Sequence, residues 1–232
     1  MAAGTLYVVA TPMGNVTDLT ERARETLQQV DRVFCADTRV TGKLLAALGV
    51  TAPLEPFHDM NGARAHGRAL EFLEAGERLA LVTDGGTPGI ADAGHQLVAA
   101  VREQFGVGAT IVPVPGVSPV TAILSVSGFS ADRFVFLGYP PAVKGRSTFF
   151  RDLAAEPRTI VLYESSTRLD DTLADLDRVA PDRAMVLGRE LTTLFEDVVV
   201  GEAAVLRQWL KSGPNRTQGV FTLAVESVKE IL

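Results

Sequence analysis

A chain of 232 residues, 47% of them hydrophobic, is long enough for one large domain or two small ones and apolar enough to fill their cores. Its 22 Lys and Arg stand against 28 Asp and Glu, a formal net charge of −6. That balance excludes a general electrostatic grip on nucleic acid, so any RNA contact has to come from a local basic patch, and DNA is not an expected partner. Cys35, the single cysteine, excludes an internal disulfide and fits a reducing, cytoplasmic compartment. Leu6 to Ala10 is too short for a signal-peptide core, and no apolar run approaches the roughly 20 residues of a membrane span, so no membrane partner is expected.

Thr5 to Ala10 is a short apolar run bounded by Gly4 and Pro12 and reads as a buried strand. Leu19, Ala23, Leu27 and Val30 follow at helical spacing, with Thr17 or Asp18 placed to cap the helix. The alternation repeats with strands at Val33 to Ala36, Leu54 to Phe57, Leu79 to Thr83 and Thr110 to Val114. Helices run through Lys43 to Leu48, Ala65 to Ala75 and Gly94 to Phe105. This order predicts a mostly parallel sheet covered on both faces. After Pro115-Gly116 the pattern changes, which sets a domain boundary near residue 116 and predicts α/β domains over 1–116 and 117–232. Val120 to Ser127 reads as a short helix or connector. Strands are predicted at Phe134 to Leu137, Thr159 to Tyr163, Ala184 to Leu187, Val198 to Val200 and Val220 to Val225. Helices are predicted at Phe149 to Ala155, Leu169 to Val179 and Ala203 to Leu210. Two strands flank Gly188 to Phe195 with no full helix between them, which predicts antiparallel pairing and a mixed second sheet.

Ligands of open parallel sheets sit at the carboxyl ends of the strands. Four loops leave predicted strands there: Thr11 to Asn15, Asp37 to Arg39, Asp84 to Gly89 and Pro115 to Pro119. Three combine Gly with Pro, a mixture that lets backbone approach a ligand closely on a fixed loop. The same residues also serve as ordinary turn punctuation. None is a phosphate loop, since neither G-x-x-x-x-G-K-[ST] nor a G-x-G-x-x-G after the first strand is present. His58, His66 and His95 are scattered, so no metal is expected. No G-x-S-x-G nucleophile elbow occurs.

Five segments in this order, LYVVATPMGNVTDLTERA, ADTRVTGKLL, LALVTDGGTPGIADAG, VPVPGVSP and RTIVLYESSTRL, resemble the tetrapyrrole methylase superfamily. More narrowly they resemble its branch that methylates the 2′-hydroxyl of a cytidine ribose in small-subunit ribosomal RNA. The resemblance spans about residues 5 to 226. It implies two α/β domains, a homodimer, and S-adenosylmethionine as methyl donor, held between the domains largely by backbone. The donor positions it implies are Met13, Thr83, Asp84, Thr87, Ser118, Pro119, Glu164 and Leu191. Ala36, Ala93, Val117 and Thr167 depart from the family pattern. A tetrapyrrole C-methyltransferase and a donor-binding paralogue without transfer activity are the alternatives.

A donor that is already an activated electrophile needs alignment and desolvation more than it needs chemistry from the protein. A base for the hydroxyl proton is expected among Asp37 and Glu190. Asp37 and Arg39 either bind the acceptor or form a helix cap with its own ion pair. Glu164 either meets the donor, acts as a base, or anchors a strand end. Lys43, Lys144 and Arg146 are the expected phosphate-gripping groups. Thr167 and Asp170 fit a capping box, Cys35 a core position, and Trp209 helix packing.

Overall fold

The computed structural model describes residues 3–58 and 62–228, with the side chains of 62–64 outside the description. The chain divides into two compact units, Met1–Ser118 and Pro119–Leu232. Among the described residues no helix is long and apolar enough to cross a membrane.

The first unit runs β1 (Thr5–Val9), α1 (Glu21–Gln29), β2 (Arg32–Cys35), α2 (Thr38–Ala47), β3 (Leu54–Pro56), α3 (Gly62–Glu74), β4 (Arg78–Leu81), α4 (Gly94–Phe105) and β5 (Thr110–Val114). Its strands are all parallel, in the order β3-β2-β4-β1-β5. Side chains alternate across the sheet because successive residues of a strand point to opposite faces. Leu6, Phe34, Leu79 and Leu81 pack against Ala69 and Leu73 of α3 and Leu97 and Val101 of α4. Val9, Val33, Cys35 and Ala80 pack against Ala23 and Leu27 of α1 and Leu45 of α2. The chain therefore leaves β1 toward one face and its neighbour β4 toward the other. Such a reversal opens a crevice at the carboxyl ends of the two strands.

The helix from Leu19 starts later than its apolar stripe suggests. Thr20, not Thr17 or Asp18, is its cap, its Oγ1 accepting from Ala23 N at 3.2 Å. Val16–Asp18 forms a separate 3-10 turn capped by Asn15, so Thr17 and Asp18 are already committed.

The second unit runs α5 (Pro119–Ser127), β6 (Phe134–Phe136), α6 (Arg146–Ala155), β7 (Thr159–Ser165), α7 (Leu169–Val179), β8 (Met185–Arg189), β9 (Asp197–Gly201), α8 (Ala203–Lys211) and β10 (Val220–Val225). Its sheet has the order β6-β7-β10-β8-β9, with β6 and β7 parallel and the other pairs antiparallel. The antiparallel pairing expected around Gly188 to Phe195 is the β8–β9 hairpin. Helices α6, α7 and α8 cover the face bearing Ile160, Leu162, Leu187 and Leu223. Helix α5 covers the other with Val120, Ile123 and Leu124 against Val161, Val186 and Ala224. Trp209 packs beside the larger cluster, under the Arg216 guanidinium 4.8 Å from its ring.

The Thr167 capping box does not form. Arg168 is the N-cap of α7 without a side-chain cap bond. Asp170 instead takes Arg207 of α8 at 2.9 Å, and Thr167 Oγ1 lies 3.3 Å from Ser165 Oγ. The helix–helix ion pair has claimed the residue that would have completed the box.

Candidate active site

All strands of the first sheet end at one edge, and the loops there are fastened to one another. Thr11 N donates to Gly86 O at 2.9 Å and Gly86 N to Thr11 O at 2.8 Å, while Thr11 Oγ1 donates to Thr83 O at 2.8 Å. The loop after β1 is thus tied to the loop after β4. Thr87 Oγ1 donates to Val117 O at 3.0 Å, tying the β4 loop to the one after β5. Two glycines make this closeness possible. A Cβ on Gly85 would lie 3.1 Å from Met13 Cα, and one on Gly116 would lie 2.9 Å from Ala10 Cβ. Any side chain at either position would drive the loops apart.

Two cavities open at this edge, and Thr83 lines both. One, about 250 Å³, is walled by Pro12, Met13, Gly14, Val16, Val40, Thr41, Lys43, Leu44, Thr83 and Asp84. The other, about 220 Å³, lies against Ala36, Phe57, His58, Val82, Ala91 and Ala93 among others. Four of the residues singled out from sequence, Met13, Thr83, Asp84 and Lys43, meet in the first cavity. Val16, Val40 and Leu44, which were not singled out, supply its apolar wall. No signal in the sequence assigned them to a cavity. Ala36 and Ala93, two of the departures from the family pattern, line the second cavity. Ala91, also on that wall, holds φ at +61°, a conformation non-glycine residues adopt at a cost of about 1–3 kcal/mol.

Asp84 keeps considerable surface, yet its carboxyl is pushed above the ordinary value, chiefly by desolvation in the loop, with the negative Asp37 and Asp92 nearby adding to the rise. Asp37 N–H opposes this by donating to Asp84 Oδ1 at 3.1 Å. Such a carboxylate carries a charge that is only partly compensated, which suits it to a cationic ligand.

Asp37 is the N-cap of α2. Its Oδ1 accepts from Arg39 N at 2.8 Å, and its Oδ2 pairs with the Arg39 guanidinium at 2.6 Å. Those bonds hold its carboxyl far below the usual carboxylate range. A carboxylate that resists protonation this strongly is a poor base near neutral pH, so the geometry favours the cap and ion pair. Glu190, the other expected base, sits in the second unit at φ +50°. Its Oε1 accepts from Val220 N at 2.8 Å, and its own N–H donates to Val220 O at 3.0 Å, which locks the end of β8 to the start of β10.

Glu164 lies within β7 rather than beyond it, 1% exposed. Its carboxylate pairs with Arg168 at 2.9 Å and accepts from Thr172 Oγ1 at 2.6 Å and Ser165 N at 2.7 Å. These bonds tie the end of β7 to the start of α7. Leu191 packs beside the α5 cluster. Ser118 ends the first unit and Pro119 opens α5.

Arg146 departs from the expected phosphate grip. It pairs with Asp175 at 2.7 Å and donates to Pro141 O at 3.0 Å and Thr172 Oγ1 at 3.1 Å, its ring-facing side 4.9 Å from Phe150. These bonds hold the guanidinium against its own unit, with 16% of the side-chain surface exposed. Lys144, two residues earlier, is exposed. Among the described residues no group of three His, Cys, Asp or Glu side chains could hold a metal ion.

The sequence profile of the tetrapyrrole (corrin/porphyrin) methylases matches residues 5–206. The chain is 46% identical to the ribosomal RNA small subunit methyltransferase I of Synechocystis over 227 residues, 96% of this chain and 78% of that one. It is 42% identical to the protein of the same name from Escherichia coli O157:H7 over 228 residues, 97% of this chain and 79% of that one. The methyltransferase CobJ superposes with a TM-score of 0.71 at 17% identity, covering 97% of this chain and 95% of that one. A uroporphyrin-III C-methyl transferase from Thermus thermophilus, complexed with S-adenyl homocysteine, superposes with a TM-score of 0.66 at 18% identity, covering 95% and 97%. At these identities the two structures speak for the fold alone.

Proposed function

The chain belongs to the tetrapyrrole methylase family, and from that premise we propose that it transfers a methyl group from S-adenosylmethionine to a cytidine ribose 2′-hydroxyl in small-subunit ribosomal RNA. The chief support is the 42–46% identity to ribosomal RNA small subunit methyltransferase I relatives across nearly the whole chain. That identity favours RNA over a tetrapyrrole as acceptor, and transfer over mere donor binding.

The residues present fit the donor. Loops built around Gly85 and Gly116 let a ligand such as an adenosine with an amino-acid tail come close to their backbone. The cavity of Met13 and Asp84 joins an apolar wall to one carboxylate, a combination suited to a sulfonium with apolar substituents. When bound, the donor supplies an already activated methyl group. The protein's own share is then to fix the loops, exclude water and align the acceptor. Lys43, on the same cavity wall as Asp84, is placed to meet a phosphate of the acceptor. The small cysteine content and the ribosomal substrate together favour a cytoplasmic location.

Titration calorimetry should show binding of S-adenosylmethionine and of its demethylated product, and the protein should methylate purified small subunits at a ribose. Thr87→Trp should abolish donor binding, because it breaks the tie to Val117 O and fills the space between the β4 and β5 loops. Unchanged affinity in that variant would remove the β4 loop from the donor site.

A homodimer is the assembly we propose. The edge strand β9 turns Val198 and Val200 outward, and its hairpin carries Leu194, 99% exposed, and Phe195, 69% exposed. A row of apolar side chains along an unpaired strand edge invites a partner. Sedimentation should give twice the chain mass at micromolar concentration, and Leu194→Glu with Phe195→Glu should shift it toward monomer. A monomeric parent protein would refute the assembly.

A further inference from the structure

Two consecutive proline carbonyls in the second unit are each held by a guanidinium. Arg168 donates to Pro140 O at 2.9 Å, and Arg146 donates to Pro141 O at 3.0 Å. Both arginines are themselves fixed, Arg168 by the buried Glu164 and Arg146 by Asp175. Proline lacks an N–H and has a locked φ, so these carbonyls are the natural points at which to clamp this stretch. The next residue back, Tyr139, follows Gly138, whose carbonyl accepts from Tyr163 N at 3.0 Å.

The clamp holds a half-exposed aromatic ring. Tyr139 keeps 46% of its surface exposed. Its ring stands edge-on to Tyr163, with centroids 5.6 Å apart, and Tyr163 stands edge-on to Phe136 at 4.7 Å. Stacked edge to face, the three rings leave Tyr139 buttressed on its inner side and open on its outer side. Four and five residues on, the same loop exposes Val143 and Lys144. Burying Glu164 with its arginine costs desolvation that an ordinary surface loop would not require. Here the buried pair holds Arg168 against the loop that follows a half-exposed ring.

Resting on the RNA reading above, we propose that Tyr139 is a base-stacking shelf for a single-stranded segment of the acceptor RNA, with Lys144 meeting its phosphate backbone. An aromatic side chain held in place on a loop that also exposes a lysine is the chemistry by which proteins take unpaired bases. It also supplies affinity without the basic surface that this acidic chain lacks. The residue is a binding and positioning residue; it takes no part in the transfer step.

Fluorescence anisotropy with a short labelled oligocytidylate, run beside methyl transfer to small subunits and calorimetry with S-adenosylmethionine, tests this. Tyr139→Ala should weaken oligocytidylate binding roughly tenfold and raise KM for subunits, leaving donor affinity unchanged. Tyr139→Phe and Tyr139→Trp keep an aromatic face and should stay near the parent. Lys144→Glu should weaken binding in a way that fades as salt rises. Arg146 is unsuited to the same test, because its loss would also free the loop. Parental RNA affinity in Tyr139→Ala, or an equal loss in Tyr139→Phe, would overturn the shelf. So would a fall to half the sedimenting mass in Tyr139→Ala, which would assign the ring to a protein contact. If the parent protein methylates no small subunits yet Tyr139→Ala still weakens oligocytidylate binding, the substrate reading fails and the shelf stands. If the parent binds no oligocytidylate, the shelf falls whatever the transfer assay shows.

Discussion

Asp84→Asn should lower affinity for S-adenosylmethionine by about ten- to a hundredfold while leaving the fold at least as stable as the parent. The amide keeps the shape of the carboxylate, and its oxygen still accepts from Asp37 N, the bond seen at 3.1 Å. What disappears is a negative charge facing the cavity that also holds Met13 and Lys43. A hydrogen bond to a charged group contributes about 1.5–3 kcal/mol, which sets the size of the expected loss. The stability half follows from the direction of the pKa. Desolvation raises the Asp84 carboxyl in the folded chain, so the folded state holds its proton to higher pH than the unfolded state. Its ionisation therefore destabilises the fold, an effect absent below the ordinary carboxylate range and present once pH has risen through the raised value. The variant should melt no lower than the parent at neutral pH, and any advantage should vanish in acid. Melting curves at the two pH values, read beside calorimetry, check both halves. Parental donor affinity, or a marked loss of stability, would show that Asp84 belongs to the scaffold and not to the site.

Much of the site was legible because its signals are local. Gly and Pro at the ends of apolar runs locate strand-end loops, and the parallel alternation puts those loops on one edge. Gly85 and Gly116 then explain in space what the composition only hinted at. Residues whose role depends on distant partners were read less well. Arg146, two residues after Lys144, reads as a phosphate-gripping group. Asp175, 29 residues on in α7, pairs with it. Asp170 looked like half of a capping box until Arg207, from a different helix, claimed it. Glu164 follows an apolar run and so reads as a strand-end carboxylate with a free face. Only the packing of α7 over β7 shows that its oxygens point at Thr172 and Arg168. Nothing in the sequence shows that two arginines clamp the loop after Tyr139. Long polar side chains choose partners across the fold, and a single sequence does not record those choices.

Glu164→Ala should cost the second unit about 3 kcal/mol of stability, near the lower end of what removing one partner of a buried ion pair costs. The lower end applies because Arg168 retains 29% of its side-chain surface and can recover some hydration. Thr172 is fully buried and has no such recourse. With the carboxylate gone its hydroxyl loses the acceptor at 2.6 Å, and a buried donor left unmade costs about 1–3 kcal/mol by itself. Glu164→Gln keeps an acceptor for Thr172 but not the charge opposite Arg168, so its loss should be roughly half as large. Denaturant unfolding of the whole chain, with the emission of Trp209, the single tryptophan, reporting on the second unit, measures both. The pair also separates two roles for this residue. As an anchor, Glu164 acts on RNA affinity through Arg168 and the Pro140 carbonyl, so Glu164→Gln should loosen Tyr139 and weaken oligocytidylate binding while donor affinity holds. As a donor contact it would do the reverse. Glu164→Gln with parental stability and a tenfold loss of S-adenosylmethionine affinity would move this carboxylate from the scaffold into the donor site.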